Sequence, residues 1–198
     1  AWKDMASTLG IYFDRPINNR LRGVSRMASL EIILERYEGP SLSEERKREL
    51  AERKNDTYRR LLANMSPSDL TEEVRTTLEA LRSSGLKLGI GSSSKNAPFI
   101  LDRLGLGTYF DAVSDGNNIT HSKPDPEVFL KGAGFLDVLP EECLVVEDAV
   151  SGAEAGRCGG FPVACVGDAS AAGAGDFNLT AFGQLIEVAA QLREGATA

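Results

Sequence analysis

The chain is 198 residues long, 42% hydrophobic and 26% charged, enough for one ordinary domain with a true core plus a smaller one. Its net charge of −7 argues against nucleic acid or an anionic membrane as the main partner, so an anionic ligand needs local basic groups. No apolar run reaches the length of a membrane span, no signal peptide is visible, and Cys143, Cys158 and Cys165 lack metal-ligand spacing, which reads as small buried thiols in a cytoplasmic protein.

Ala1-Trp2-Lys3-Asp4-Met5-Ala6 reads as the interior of a helix, so further residues are expected ahead of Ala1. The first third is helical in pattern. Met27 to Arg36 sets Ala28, Ile32 and Leu34 among polar neighbours, and Glu44 to Met65 is a solvated amphipathic helix carrying Leu50, Leu61 and Leu62. Ser66-Pro67-Ser68-Asp69 is a turn and helix-start signal, placing a boundary between residues 1–65 and 66–198.

Beyond it, helices and strands alternate. Leu70 to Arg82 is a helix, Leu86 to Gly91 a strand, Asn96 to Leu104 a helix and Ala112-Val113 a short strand. Pro124 to Leu136 starts with a first-turn proline. Cys143 to Glu147 is a strand, Gly152 to Cys158 a helix, Pro162 to Val166 a strand, and Ala169 to Gly175 a loop. That alternation predicts an α/β fold with a doubly wound parallel sheet.

Three strand ends carry chemistry, and in such sheets they lie together on the carboxyl edge, where ligands bind. Ser92, Ser93 and Ser94 between a strand and a helix offer hydroxyls and amides to an anion, or merely cap the next helix. Lys95 and Asn96 add donors there and favour a ligand. Lys123 stands before Pro124, where helix electrostatics disfavour a cation; it is either a phosphate contact or a solvated loop lysine. Glu147-Asp148 ends an apolar run with hard oxygen donors that suit Mg²⁺, the alternative being an acidic turn. His121 has no general-base partner, and zinc lacks ligands. Arg22-Gly23-Val24-Ser25-Arg26 and Arg53-Lys54-Asn55-Asp56 each read alone as an ordinary charged surface.

Taken together, these segments have a known counterpart. Gly23-Val24-Ser25-Arg26 with Ser29-Leu30, Arg53-Lys54-Asn55-Asp56, Ser66-Pro67, Ser94-Lys95-Asn96, Tyr109-Phe110-Asp111-Ala112, Ser122-Lys123-Pro124 and Glu147-Asp148 follow one another as in β-phosphoglucomutases. The chain resembles that family, within the haloacid dehalogenase superfamily, over essentially its whole length. The resemblance implies a helical cap over a Rossmann-like core. It implies that Glu147 and Asp148 hold Mg²⁺, and that Lys123, Ser92 and the backbone near Ser93 bind the transferred phosphoryl group. Arg26, Ser94, Lys95 and Asn96 would clamp the second phosphate, with Arg22, Gly23, Val24 and Ser29 beside the substrate and Lys54 reaching the sugar.

The implied reaction interconverts β-glucose 1-phosphate and glucose 6-phosphate through the 1,6-bisphosphate, in a monomer acting on a small phosphosugar, with the phosphoryl group carried on an aspartate. Arg22 replaces the usual lysine, and Thr71-Glu72-Glu73-Val74 the usual Pro-Gly turn. The family's Asp-x-Asp motif does not occur in these residues; Ile11-Tyr12-Phe13-Asp14 lacks the second aspartate and matches a cap loop. A strand bearing that motif would lie in mid-sheet, which makes a longer native chain the expectation. A phosphosugar phosphatase and an inactive phosphosugar- or partner-binding module are the competing readings.

Overall fold

A computed structural model describes residues 1–196. Its first third is helical: α1 (Trp2–Thr8), α2 (Arg15–Arg20), α3 (Arg26–Leu34) and α4 (Glu44–Leu62). Each of the last three has a side-chain cap. Asp14, Ser25 and Ser43 accept the amides of Ile17, Ala28 and Arg46, satisfying donors that the first helical turn leaves open. The α4 helix adds Glu44 and Glu45 at its start and Arg59 and Arg60 at its end, matching the helix dipole. These helices close around Met5, Ile11, Ile17, Leu30, Ile33 and Leu50. Full burial of each such side chain is worth about 1.5–3 kcal/mol. On α3 the buried apolar positions are Leu30 and Ile33, while Ala28, Ile32 and Leu34 are only partly covered, so the expected apolar face is turned by about one residue.

The remaining chain alternates helix and strand: α5 (Glu72–Ser83), β1 (Gly89–Gly91), α6 (Ala97–Arg103), β2 (Ala112–Ser114), α7 (Glu127–Leu136), β3 (Val145–Glu147), α8 (Val150–Cys158), β4 (Val163–Cys165), α9 (Gly167–Ala171), β5 (Phe177–Asn178) and α10 (Leu185–Ala196). All strand pairing is parallel, divided between a sheet of β1 and β2 and a sheet ordered β3-β4-β5. Val163, Ala164 and Cys165 of β4 are fully buried, as befits a central parallel strand covered on both faces. Helix α8 packs on β3 and β4 through Ala153 and Gly156, where a β-carbon at Gly156 would stand 2.7 Å from Val163. The molecule is therefore a Rossmann-like α/β core with a helical cap.

Three expectations need correction. The segment Ala169 to Gly175 is not all loop, because Gly167–Ala171 is helical and buries Ala169 in the core. Helix α7 begins at Glu127 rather than at Pro124. Asp125 Oδ1 accepts the Glu127 amide and Pro126 is the cap residue, so Lys123 sits in the loop ahead of the helix. Of the three cysteines, all free, only Cys165 is buried, while Cys158 is exposed.

Candidate active site

A cavity of about 1020 Å³ opens between the cap and the ends of β1 and β3. It is lined by Arg22, Gly23, Val24, Arg26, Ser29, Lys54, Ser92, Ser93, Ser94, Lys95, Asn96, Lys123, Glu147 and Asp148, which brings every sequence-nominated residue to one place. His121 does not line it and is exposed, its amide donating to Glu127 at 2.6 Å. Asp14 is outside it as well, held by the Ile17 amide and by Arg36 at 2.9 Å, which keep its carboxyl below the usual range.

The floor is built around Lys123, whose residue is 6% exposed. Its ammonium donates to the carbonyl of Gly91 at the end of β1 (3.2 Å) and to Glu147 Oε1 at the end of β3. Phe129 lies beneath it, 4.6 Å from the ring centre. Glu147, 7% exposed, is thus a buried, charge-paired carboxylate. A β-carbon on Gly152 would fall on the Glu147 carboxyl group, so only glycine there leaves room for it against α8. Asp148 is open on the other side and faces Arg22, whose Nη1 stands 3.9 Å from Asp148 and 3.0 Å from Asp168.

Glu147 and Asp148 are hard oxygen donors with a guanidinium already drawn against the open member, and this chemistry fits Mg²⁺. They do not by themselves make a complete ligand set. Among the described residues, the group of three close ligand side chains is His121, Asp125 and Glu127, on the surface and away from the cavity. An ion at Glu147 and Asp148 would therefore draw its remaining oxygens from water and substrate.

The 92–96 loop folds on its own side chains. Ser92 Oγ accepts the Ser94 amide (3.2 Å), and Ser94 Oγ accepts the Asn96 amide (3.1 Å), which leaves both hydroxyl protons free to donate. Ser93 is used differently: its hydroxyl donates to the carbonyl of Gly23 at 2.7 Å, so that proton is already committed. Asn96 is buried and its amide donates to Asn55 of α4 at 2.9 Å.

The cap segment 22–25 is seated by three serines of the core, two from loops and Ser151 from the first turn of α8. Ser93 holds Gly23, Ser151 Oγ donates to the carbonyl of Arg22 (2.9 Å), and Ser122 Oγ accepts the amide of Ser25 (3.1 Å). Gly23 makes this approach possible. Its φ is +74°, and a β-carbon would lie 2.6 Å from Ser151 Oγ and 3.4 Å from Lys123.

The cavity wall carries positive charge without local neutralisation. Arg26, Lys54 and Lys95 have no carboxylate partner among the described residues, although the chain as a whole is acidic. Lys54 Nζ lies 4.5 Å from the Trp2 ring and 4.4 Å from the Tyr58 ring. Burial, and then the charge of Arg26, push its amine down to about 8. The sequence analysis did not single out Asp168, Ser151, Trp2 or Tyr58, and it gave Ser122 and Asn55 no role beyond the motifs they stand in. Tyr58 is one helical turn from Lys54, while the others act through partners far away in the chain.

Comparison with known proteins gives a consistent picture. Residues 10–160 match the haloacid dehalogenase-like hydrolase family. The chain is 40% identical over 169 residues to the β-phosphoglucomutase of Bacillus subtilis, covering 84% of this chain and 74% of that protein. It is 32% identical over 163 residues to the phosphorylated carbohydrates phosphatase of Thermotoga maritima, covering 81% and 73%. The crystal structure of β-phosphoglucomutase from Clostridium difficile superposes with a TM-score of 0.90 at 32% identity, covering 100% of this chain and 90% of that one.

Proposed function

The chain belongs to the haloacid dehalogenase-like hydrolase family, in its phosphosugar-handling part, and from that premise we propose that it serves a mutase interconverting β-glucose 1-phosphate and glucose 6-phosphate. The observation that carries the reading is the set of unpaired cations, Arg26, Lys54 and Lys95, facing the Lys123–Glu147–Asp148 floor across one cavity. A mutase must hold two phosphates of one sugar at once, one at the reacting end and one at a distance. In this reading Lys123 and the Ser92 hydroxyl neutralise the phosphoryl group in transfer, while Arg26, Ser94, Lys95 and Asn96 hold the other phosphate. The bisphosphate then turns end for end between the two places.

Mg²⁺, which enzymes of this superfamily generally use, would be held by Glu147 and Asp148 and would supply charge neutralisation at the transferred phosphoryl group. Lys123 fixes Glu147 by donating to its Oε1, and both side chains lie buried in the floor. The Asp-x-Asp pair of the family chemistry does not occur in the 198 residues, so the residues described here bind, orient and neutralise; none of them attacks. The ligand is a small phosphosugar, bound by a monomer.

The test is ³¹P NMR of the full native protein with β-glucose 1-phosphate, Mg²⁺ and a trace of the bisphosphate; the residues described here supply its binding and orientation, not its nucleophile. Growth of the glucose 6-phosphate signal is the expected result. Growth of inorganic phosphate alone would favour the phosphatase reading, which the similarity to the Thermotoga enzyme supports. Ligand broadening with no turnover would identify a binding module.

A further inference from the structure

The structure holds seven lysines, and their surroundings differ in one decisive respect. Lys47 is neutralised by Glu31 (2.8 Å) and Glu44 (3.0 Å), Lys123 by Glu147, and Lys131 by Glu127 (2.8 Å), while Lys87 donates to the carbonyl of Leu136. Lys3 and Lys95 are exposed to water. Among the described residues, Lys54 is the partly buried lysine with no oxygen to receive its protons, held between two aromatic rings on the wall of the cavity. Ring faces attract an ammonium through their quadrupole but accept none of its protons as an oxygen would.

We propose that Lys54 is a covalent modification site for aldehydes that carry a phosphate, its amine condensing with the carbonyl while the cavity's unpaired cations hold the phosphate. The lone pair of Nζ attacks the carbonyl carbon and forms the C–N bond. The carbonyl π pair moves to oxygen, which takes up a proton, and loss of water from the carbinolamine leaves a C=N imine. Atoms balance as amine plus aldehyde giving imine plus water, with no oxidant or reductant. The ligand class is open-chain aldose phosphates and other small phosphorylated aldehydes. The steering by phosphate rests on the functional reading above; the reactivity of the amine does not.

The amine's state supports the chemistry. With a pKa of about 8, roughly a tenth of Lys54 is uncharged at pH 7, against less than about one part in a thousand for an ordinary lysine. Only the uncharged amine is a nucleophile. An adduct on this wall occupies part of the cavity where the phosphosugar would sit, so modification competes with the ligand.

Pyridoxal 5′-phosphate is a suitable probe, trapped with borohydride and mapped by peptide mass spectrometry on the intact chain. The expected result is labelling of Lys54 at least about ten-fold faster than Lys3 or Lys95, with a rate that rises through pH 8, protection by glucose 6-phosphate, and loss of that label in Lys54→Arg. Label spread over the lysines by exposure would overturn the proposal, as would equal labelling of Lys54 by pyridoxal, which lacks the phosphate. Calorimetric titration with glucose 6-phosphate runs in parallel. Binding without Lys54 labelling sinks the modification site alone, whereas no binding sinks the phosphosugar reading and the steering with it. A thermal melt of Lys54→Arg confirms that a lost label is not lost folding.

Discussion

Gly23→Ala should weaken phosphosugar binding far more than it lowers global stability. Gly23 has φ +74°, and its β-carbon would stand 2.6 Å from Ser151 Oγ, closer than real β-carbons come to another atom. Holding alanine in the left-handed region costs about 1–2 kcal/mol. Relief of the contact requires Ser151 to turn away, which gives up its 2.9 Å bond to the Arg22 carbonyl at about 0.5–1.5 kcal/mol net. The sum, about 1.5–3.5 kcal/mol, falls on the seating of the 22–25 segment and corresponds to roughly 10- to 400-fold in affinity. Calorimetric titration with glucose 6-phosphate, beside a thermal melt, reads both quantities. Ser151→Ala removes the atom that the new methyl meets, so the double variant should bind better than the sum of the two single losses implies. Binding within two-fold of the parent for Gly23→Ala, or strict additivity with Ser151→Ala, would refute this account of the segment.

Three other outcomes are expected. Lys123→Met and Glu147→Gln each strand a buried partner and should cost about 3–5 kcal/mol, or about 6–20 °C in Tm for a chain of this size, with the double variant costing less than the sum; single losses below about 1 kcal/mol would contradict the pairing. Lys54 titrates near 8 in the fold, below the 10.5 of the free side chain, so between those values only the unfolded chain holds the proton and stability rises with pH; that rise should vanish in Lys54→Met when Tm is followed from pH 7 to 11. Glu127 is lowered from 4.5 to about 2 by the Lys131 hydrogen bond first and the His121 amide second, so its contribution is complete above pH 4.5 and lost as pH falls toward 2; Glu127→Gln should melt with less acid sensitivity in that window.

The strands and the cap helices were legible because their patterns are local. Leu86 to Gly91 and Leu144 to Glu147 are apolar runs that end in polar turns, and Glu44 to Met65 shows its amphipathic period; Thr71, read as lying inside a helix from Leu70, instead caps one that starts at Glu72. Other features depend on partners that no local window contains. The Pro124-Asp125-Pro126 run offers two starting prolines, and only the Asp125 bond to the Glu127 amide decides between them. Helix α9 reads as a small-residue loop until Ala169 is seen packed into the core, and β5 and α10 carry too weak a pattern to stand out. The serines misled most usefully. Ser92, Ser93 and Ser94 look alike in sequence, yet Ser92 and Ser94 fold their own loop while Ser93 joins Ser122 and Ser151 in attaching a segment 70 to 129 residues away.

The β1 and β3 strands belong to separate hydrogen-bonded sheets, and among the described residues Lys123 is the side chain that hydrogen-bonds the terminal residue of each, through Gly91 and Glu147. The same ammonium therefore joins two strand ends and is also the charge that an incoming anion would pull upon. A ligand strong enough to claim it loosens the joint, and a joint held too firmly would refuse the ligand. Rigidity at this edge and grip on an anion must be tuned together, because a single nitrogen answers to both.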